Sequence, residues 1–191
     1  MLLPELTFRV RSSAPHLSEF SVLLHAPRPA RTRSTAPTPL GLPDLAELTR
    51  SIAAQVRTGA HDVVLDPLRR WYRRLYADPF VDVWLISWAT EQATELHDHA
   101  GSLGALTVVS GELLEERWVP AERGLRTRRL RPGKGASFAL GHVHDVVNAR
   151  PAHAVSVHAY SPPLTAMSYY AVDSAGDLRR TRTVLTDGGS A

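Results

Sequence analysis

His97-Asp98-His99 restricts the fold of this chain more than any other stretch. Side chains at i and i+2 share a face only on an extended strand, which would turn both imidazoles into one interior and Asp98 outward. A third histidine, His144, can join them around a transition metal if the chain between forms a β barrel. The residues around the triplet have that character. Short runs of β-formers separated by turn residues cover Val81 to Trp88, Leu103 to Val109, Glu112 to Val119 after Gly111, Ser137 to Leu140 and His144 to Asn148. Ala154 to Tyr160, Met167 to Val172 and Leu178 to Leu185 continue the series. Many short strands at close spacing predict a mainly β chain, a sandwich or barrel.

The remainder is read as one domain over 1–191, a length suited to a single core. Residues 1–43 form an arm and linker, with short strands expected at Leu6 to Val10 and Phe20 to Leu24. Pro27 to Pro43, rich in Pro, Arg, Thr and Ser, is linker-like, and Arg28, Arg31 and Arg33 are read as solvated. A helical segment is expected over 44–69: Asp44 and Glu47 resemble a capping box, Leu45, Leu48, Ile52 and Val56 keep helical spacing, and Gly59 supplies a stop. The barrel then occupies 70–191. Lys and Arg total 22 against 19 Asp and Glu, an excess too small and scattered for a nucleic-acid footprint. The absence of cysteine excludes disulfides, zinc-thiolate sites and cysteine nucleophiles. Met1 to Glu5 lacks a basic n-region, and no run approaches the roughly 20 apolar residues of a membrane span. A cytoplasmic monomer without membrane or nucleic-acid partners is expected.

His97-x-His99 followed by Gly104 and Gly111 resembles the first cupin motif, with glycine where many cupins carry glutamate. Gly133, then Gly141-x-x-His144-x-x-x-Asn148, resembles the second motif, with Ala139 at its usual proline. The implied fold is a cupin, a double-stranded β-helix or jelly-roll barrel, here with an N-terminal helical segment. A closer resemblance, over roughly 70–172, is to the cysteine dioxygenase family of cupin thiol dioxygenases. It rests on Tyr72-x-Arg74, Trp88, the His-Asp-His triplet, Gly141-His142-Val143-His144 with Asn148, and Ser156-Val157-His158-Ala159-Tyr160-Ser161-Pro162-Pro163. The resemblance implies ferrous iron, a small thiol and dioxygen as partners, and a Ser156-His158-Tyr160 relay reaching the active site. Animal members carry a cysteine at the position of Gly104, crosslinked to the tyrosine matching Tyr160. That crosslink cannot form here, and bacterial members commonly have the glycine.

The chemistry follows from the residue types. Three neutral imidazoles leave a divalent metal its full charge and open positions for a thiolate and oxygen, and metal binding favours the thiolate form. Both oxygen atoms placed on sulfur give a sulfinate. Arg74 offers a planar fork for the carboxylate of a thiol acid, with Arg73 as its competitor, and Tyr72 on the same face as Arg74 supports the pocket. Tyr160 can donate a hydrogen bond, oriented by His158 and Ser156. His142 competes with His144 as third ligand, though the motif spacing selects His144. Glu91 and Glu95 are read as surface residues, the four tryptophans as core, and His16, His25, His61 and His153 as surface or linker residues. The leading substrate is L-cysteine and the alternative is 3-mercaptopropionate. A non-catalytic ligand-binding cupin and a zinc or manganese isomerase or hydrolase are the readings from other classes.

Overall fold

The apolar stripe Leu45, Leu48, Ile52, Ala53 and Val56 lies on one face of α1, Leu42–Arg57, and is buried with Thr49. This is a computed structural model that describes residues 38–186. The expected arm strands, and Arg28, Arg31 and Arg33, lie outside the described residues. The helix starts two residues before the expected capping box. Gly41 is the cap, and Asp44 sits in the first turn, where its Oδ2 accepts the Gly41 N–H at 3.3 Å. Pro43 explains the earlier start, because its fixed φ suits the first turn, where N–H groups lack intrahelical partners anyway. At the other end Gly59 takes φ 84° and donates to Val56 O at 3.1 Å, so the helix stops at Arg57. Residues 58–71, expected in part as helix, carry neither helix nor strand.

Eleven strands follow among the described residues: β1 Tyr72–Ala77, β2 Asp82–Trp88, β3 His97–Asp98, β4 Leu103–Ser110, β5 Leu113–Val119, β6 Gly124–Leu130, β7 Gly135–Phe138, β8 His144–Val147, β9 Ala154–Ser161, β10 Ala166–Val172 and β11 Leu178–Leu185. One sheet has the order β1-β2-β9-β4-β7 and the other β11-β10-β3-β8-β5-β6, and every pairing is antiparallel. The fold is the expected mainly β double-stranded β-helix with an N-terminal helix. β6 was not expected as a strand: its sequence GLRTRRL lies at a sheet edge and exposes its middle residues, so it has no apolar alternation to read.

Alternation sorts the first sheet into two faces. Val81, Val83, Leu85, Ala105, Val109, Val155, Val157 and Ala159 pack outward against the α1 stripe. Fully burying a side chain of this kind is worth about 1.5–3 kcal/mol. Trp88, Leu106, Val108, Phe138 and Ala154 turn inward and meet Leu113, Leu130 and Val146. Gly135 lets β7 come close to β4, since a Cβ there would lie 2.1 Å from Leu106 O. His61, expected at the surface, is buried, and burial depresses its pKa, with the charge of Arg73 adding to the effect.

Asp82 opens β2 on the inner face, opposite Tyr160 of β9. Its Oδ2 accepts the Trp84 indole N–H at 2.9 Å, while Oδ1 is buried without a hydrogen-bond partner. Burial pushes its pKa up from 3.8 to about 6, against the Trp84 hydrogen bond and the charge of Arg74. The native state therefore holds this proton more tightly than the unfolded chain does. The resulting stabilisation is complete below pH 4 and is lost as pH rises through about 6, a difference of about 3 kcal/mol for two pH units. In denaturant unfolding from pH 4 to 7, the wild type should lose that amount relative to Asp82→Asn. A pH-independent difference between the two would contradict it.

Candidate metal centre

Strand pairing brings the histidines together. His97 of β3 lies opposite His144 of β8, and His99 follows β3 by one residue. The ring centroids are 4.7 Å apart for His97 and His144, 4.9 Å for His97 and His99, and 5.2 Å for His99 and His144. One ligand atom from each lies within 4.8 Å of the others, and all three residues are buried. His97 donates Nδ1–H to Glu95 O at 2.8 Å, which leaves its Nε2 as the lone-pair nitrogen. Nε2 of His99 and Nε2 of His144 are buried with no hydrogen-bond partner. Each such orphan costs about 1–3 kcal/mol unless something satisfies it. Burial, reinforced by neighbouring histidines, lowers His97 to about 3 and depresses His99, and burial also depresses His144. All three are neutral near pH 7, the form in which imidazole binds metal. A divalent cation fits this donor set.

Glu115 of β5, which sequence reasoning passed over, stands beside this set. It is fully buried, and its Oε1 accepts from His144 Nδ1–H at 3.0 Å and from His142 Nε2 at 3.2 Å. Arg128 of β6 is hydrogen-bonded to its other oxygen. Burial alone would raise the Glu115 pKa, but these hydrogen bonds together hold it well below the usual carboxylate range. The signal was parity with Leu113, two residues earlier and also buried, obscured because Glu115-Glu116-Arg117 puts charges on both faces.

The cavity in front of the histidines has a volume of about 390 Å³. Its lining includes His97, His144, His158, Tyr160, Tyr72 and Arg70. Arg74, the expected clamp, does not line it: its guanidinium carbon lies 5.6 Å from the ring of Trp84, its cross-strand partner, and Trp84 lines the cavity instead. Arg73 lies against Trp71, 5.9 Å from that ring. The cavity's arginine is Arg70, with its guanidinium carbon 5.2 Å from the Trp88 ring and its Nη1 donating to Ala93 O at 2.7 Å. Tyr72 lines the cavity as expected, and Arg70 lies just before β1, outside the strand whose parity groups Arg74 with Tyr72.

On β9, Ser156, His158 and Tyr160 turn inward and are buried. Trp88 Nε1 donates to Ser156 Oγ at 2.9 Å, Ser156 Oγ lies 2.9 Å from His158 Nε2, and His158 Nδ1 lies 3.4 Å from the Tyr160 hydroxyl. Burial lowers His158 to about 3 and raises the Tyr160 phenol. Gly104 gives Tyr160 its place, since a Cβ there would lie 2.8 Å from Phe138 and 2.9 Å from the Tyr160 ring. Asn148 braces the base of this region, with Nδ2 donating to Trp88 O at 3.0 Å and to Ala152 O at 2.9 Å. Of the four tryptophans only Trp88 is fully buried, and Glu91 and Glu95 are at the surface as expected.

Replacing His97, His99 or His144 with Ala should abolish metal binding in equilibrium dialysis against ferrous iron or cobalt, whereas His142→Ala should retain most of it. Full occupancy in His144→Ala would remove that residue from the site.

Residues 44–173 match the family described as "Cysteine dioxygenase type I". No curated protein matches the sequence. A protein with a double-stranded β-helix domain from Klebsiella pneumoniae subsp. pneumoniae aligns at 17% identity, covering 72% of this chain and 92% of that one, with a TM-score of 0.46. The structure of KdgF from Halomonas sp. aligns at 18% identity over 54% of this chain and 89% of that one, with a TM-score of 0.45. An oxalate oxidase bound to the substrate analogue glycolate aligns at 21% identity over 43% of this chain and 42% of that one, with a TM-score of 0.40. No helix among the described residues is long and apolar enough to cross a membrane. With two thirds of its length matched by the family, the chain belongs to the cysteine dioxygenase type I family of cupin-type, metal-dependent dioxygenases.

Proposed function

We propose that this chain is an iron(II)-dependent thiol dioxygenase that converts a small thiol carboxylate, foremost L-cysteine, to its sulfinate: RSH + O2 → RSO2⁻ + H⁺. The observation that carries the reading is the arrangement of neutral, buried imidazoles and the Arg70 guanidinium on one cavity of about 390 Å³. Ferrous iron held by His97, His99 and His144 would supply the redox chemistry that joins dioxygen to sulfur. The protein's own residues bind, orient and hold protons.

Arg70 takes the part expected of Arg74. Burial lowers its pKa, but a guanidinium remains cationic at neutral pH, so it offers a fork to a carboxylate. Tyr72 lines the same cavity and can support that carboxylate. Among the described lining residues there is no Asp or Glu, so the chamber selects for anions. That observation favours 3-mercaptopropionate as the second reading, since no lining carboxylate receives the ammonium of cysteine.

The relay has one polarity in which each link uses the proton before it. Trp88 Nε1 can only donate, so Ser156 Oγ accepts there, and in this polarity its own proton goes to His158 Nε2. Neutral His158 then carries its proton on Nδ1 and donates it to the Tyr160 oxygen. The phenol proton is thereby free to point into the cavity, and burial keeps Tyr160 protonated at neutral pH. In this polarity Tyr160 is a hydrogen-bond donor to substrate or oxygen.

Arg70→Ala should cost about 2–5 kcal/mol of transition-state binding, roughly 30- to several-thousand-fold in kcat/KM, for a thiol carboxylate. Cysteamine, which lacks the carboxylate, should be a poor substrate that the substitution hardly affects, and Arg74→Ala should show no such selectivity. Equal losses on both thiols would mean that Arg70 serves the fold through Ala93. Tyr160→Phe should retain metal and slow turnover by roughly 10- to 1,000-fold, and an unchanged oxygen-uptake rate would make the relay purely structural.

A further inference from the structure

We propose that Glu115 is a positioning residue for the metal: it holds His144 with its proton on Nδ1 and its Nε2 lone pair toward the metal, and makes that imidazole a stronger donor than His97. The inference rests on the reading of His97, His99 and His144 as the metal-binding set. It corrects the picture of three equivalent neutral ligands.

The asymmetry is visible in what each ring's other nitrogen meets. His97 gives its Nδ1–H to the neutral carbonyl of Glu95 at 2.8 Å. His144 gives its Nδ1–H to a carboxylate at 3.0 Å, a charge-assisted bond roughly twice as strong as one between neutral groups. Drawing that proton toward Glu115 leaves more electron density on the opposite nitrogen. A histidine oriented in this way is a firmer ligand, and removing such a partner typically costs 10- to 100-fold in metal affinity.

Register fixes the geometry. Glu115 pairs with Val146 on β8 and with Arg128 on β6, so it lies between the histidine strand and a partly exposed guanidinium. It is fully buried, and its partners are used in a divided way: Arg128 holds Oε2, while His142 and His144 share Oε1. Three donors thus converge on one buried carboxyl group, and Arg128 brings a fixed positive charge to the oxygen that the histidines leave free.

Glu115, His142 and His144 also place ligand atoms within 4.8 Å of one another, which raises the question of a second metal there. Each histidine is already at hydrogen-bonding distance from Glu115, and Arg128 fills the cation's place on its other oxygen. A metal needs its donors about 2.0–2.2 Å away and would have to displace the His144 Nδ1 proton. The cluster is a support for one metal site.

The test uses the full chain loaded with cobalt(II), iron or zinc. Glu115→Gln preserves shape and removes charge. It should weaken cobalt(II) binding 10- to 100-fold in chelator competition and raise the Fe(III)/Fe(II) midpoint potential. A tenfold selective loss of ferric affinity corresponds to about 59 mV. Unchanged affinity together with an unchanged midpoint would overturn the proposal. If the variant does not unfold cooperatively, the wild type decides: long-range nitrogen–proton NMR of the zinc-loaded protein should show His144 metallated at Nε2 with a proton on Nδ1. Metallation at Nδ1 would overturn it. Failure of the underlying metal-site reading is a distinct result, full cobalt(II) binding by His144→Ala.

Discussion

β9 is buried along its whole length. Every residue from Ala154 to Ser161 is buried, with β2 and β4 hydrogen-bonded along its two edges. Val155, Val157 and Ala159 complete the layer under α1, so their neighbours Ser156, His158 and Tyr160 must lie in the barrel interior. Polar groups buried there have to satisfy each other, which is why they form a chain beginning at the Trp88 indole. A register slip of one residue would expose hydroxyl and imidazole to the helix layer and put valines on the face that turns toward the barrel interior. The packing of the helix and the order of the polar residues are thus set by the same constraint.

Charge is sorted around the histidines with equal consequence. The cavity side carries Arg70 and neutral imidazoles, and the ionised carboxylate of Glu115 stands behind His144, outside the cavity lining. The described lining residues include no carboxylate, and Glu115 reaches the histidines from behind through its hydrogen bonds to His142 and His144. Gly104 enforces the separation. A glutamate at that motif position would need space taken by the Phe138 and Tyr160 rings, so the interior that seats Tyr160 is incompatible with a carboxylate ligand there.

Much of this was legible in the residues. The grouping of His97, His99 and His144 follows from parity and spacing, even though β3 is only two residues long and His99 falls just beyond it. The arginine was legible as a type and a face but not as a position. Arg70 precedes β1, where strand parity does not reach, while Tyr72 and Arg74 share parity but sit at different depths, paired with Ile86 and with Trp84. Parity carries no information about depth. Glu115 was hidden for another reason: a buried charge reads as a surface charge until its partners are known, and they come from β6 and from residues 142–144. The start of α1 was misplaced because Asp44 fits both a cap and a first-turn acid, and Pro43 decided between them.

Trp88 joins the parts that the sequence presented separately. Its ring lies 5.2 Å from the Arg70 guanidinium carbon, and its indole N–H begins the hydrogen-bond chain to Tyr160. Asn148, the last residue of the second cupin-like motif, donates to the Trp88 carbonyl and so ties the strand carrying His144 to the strand carrying the indole. One fully buried side chain therefore touches both the cavity's guanidinium and the first member of the polar chain on β9. The tie through Asn148 gives that residue a structural part: it joins the end of β8, which begins at His144, to the end of β2.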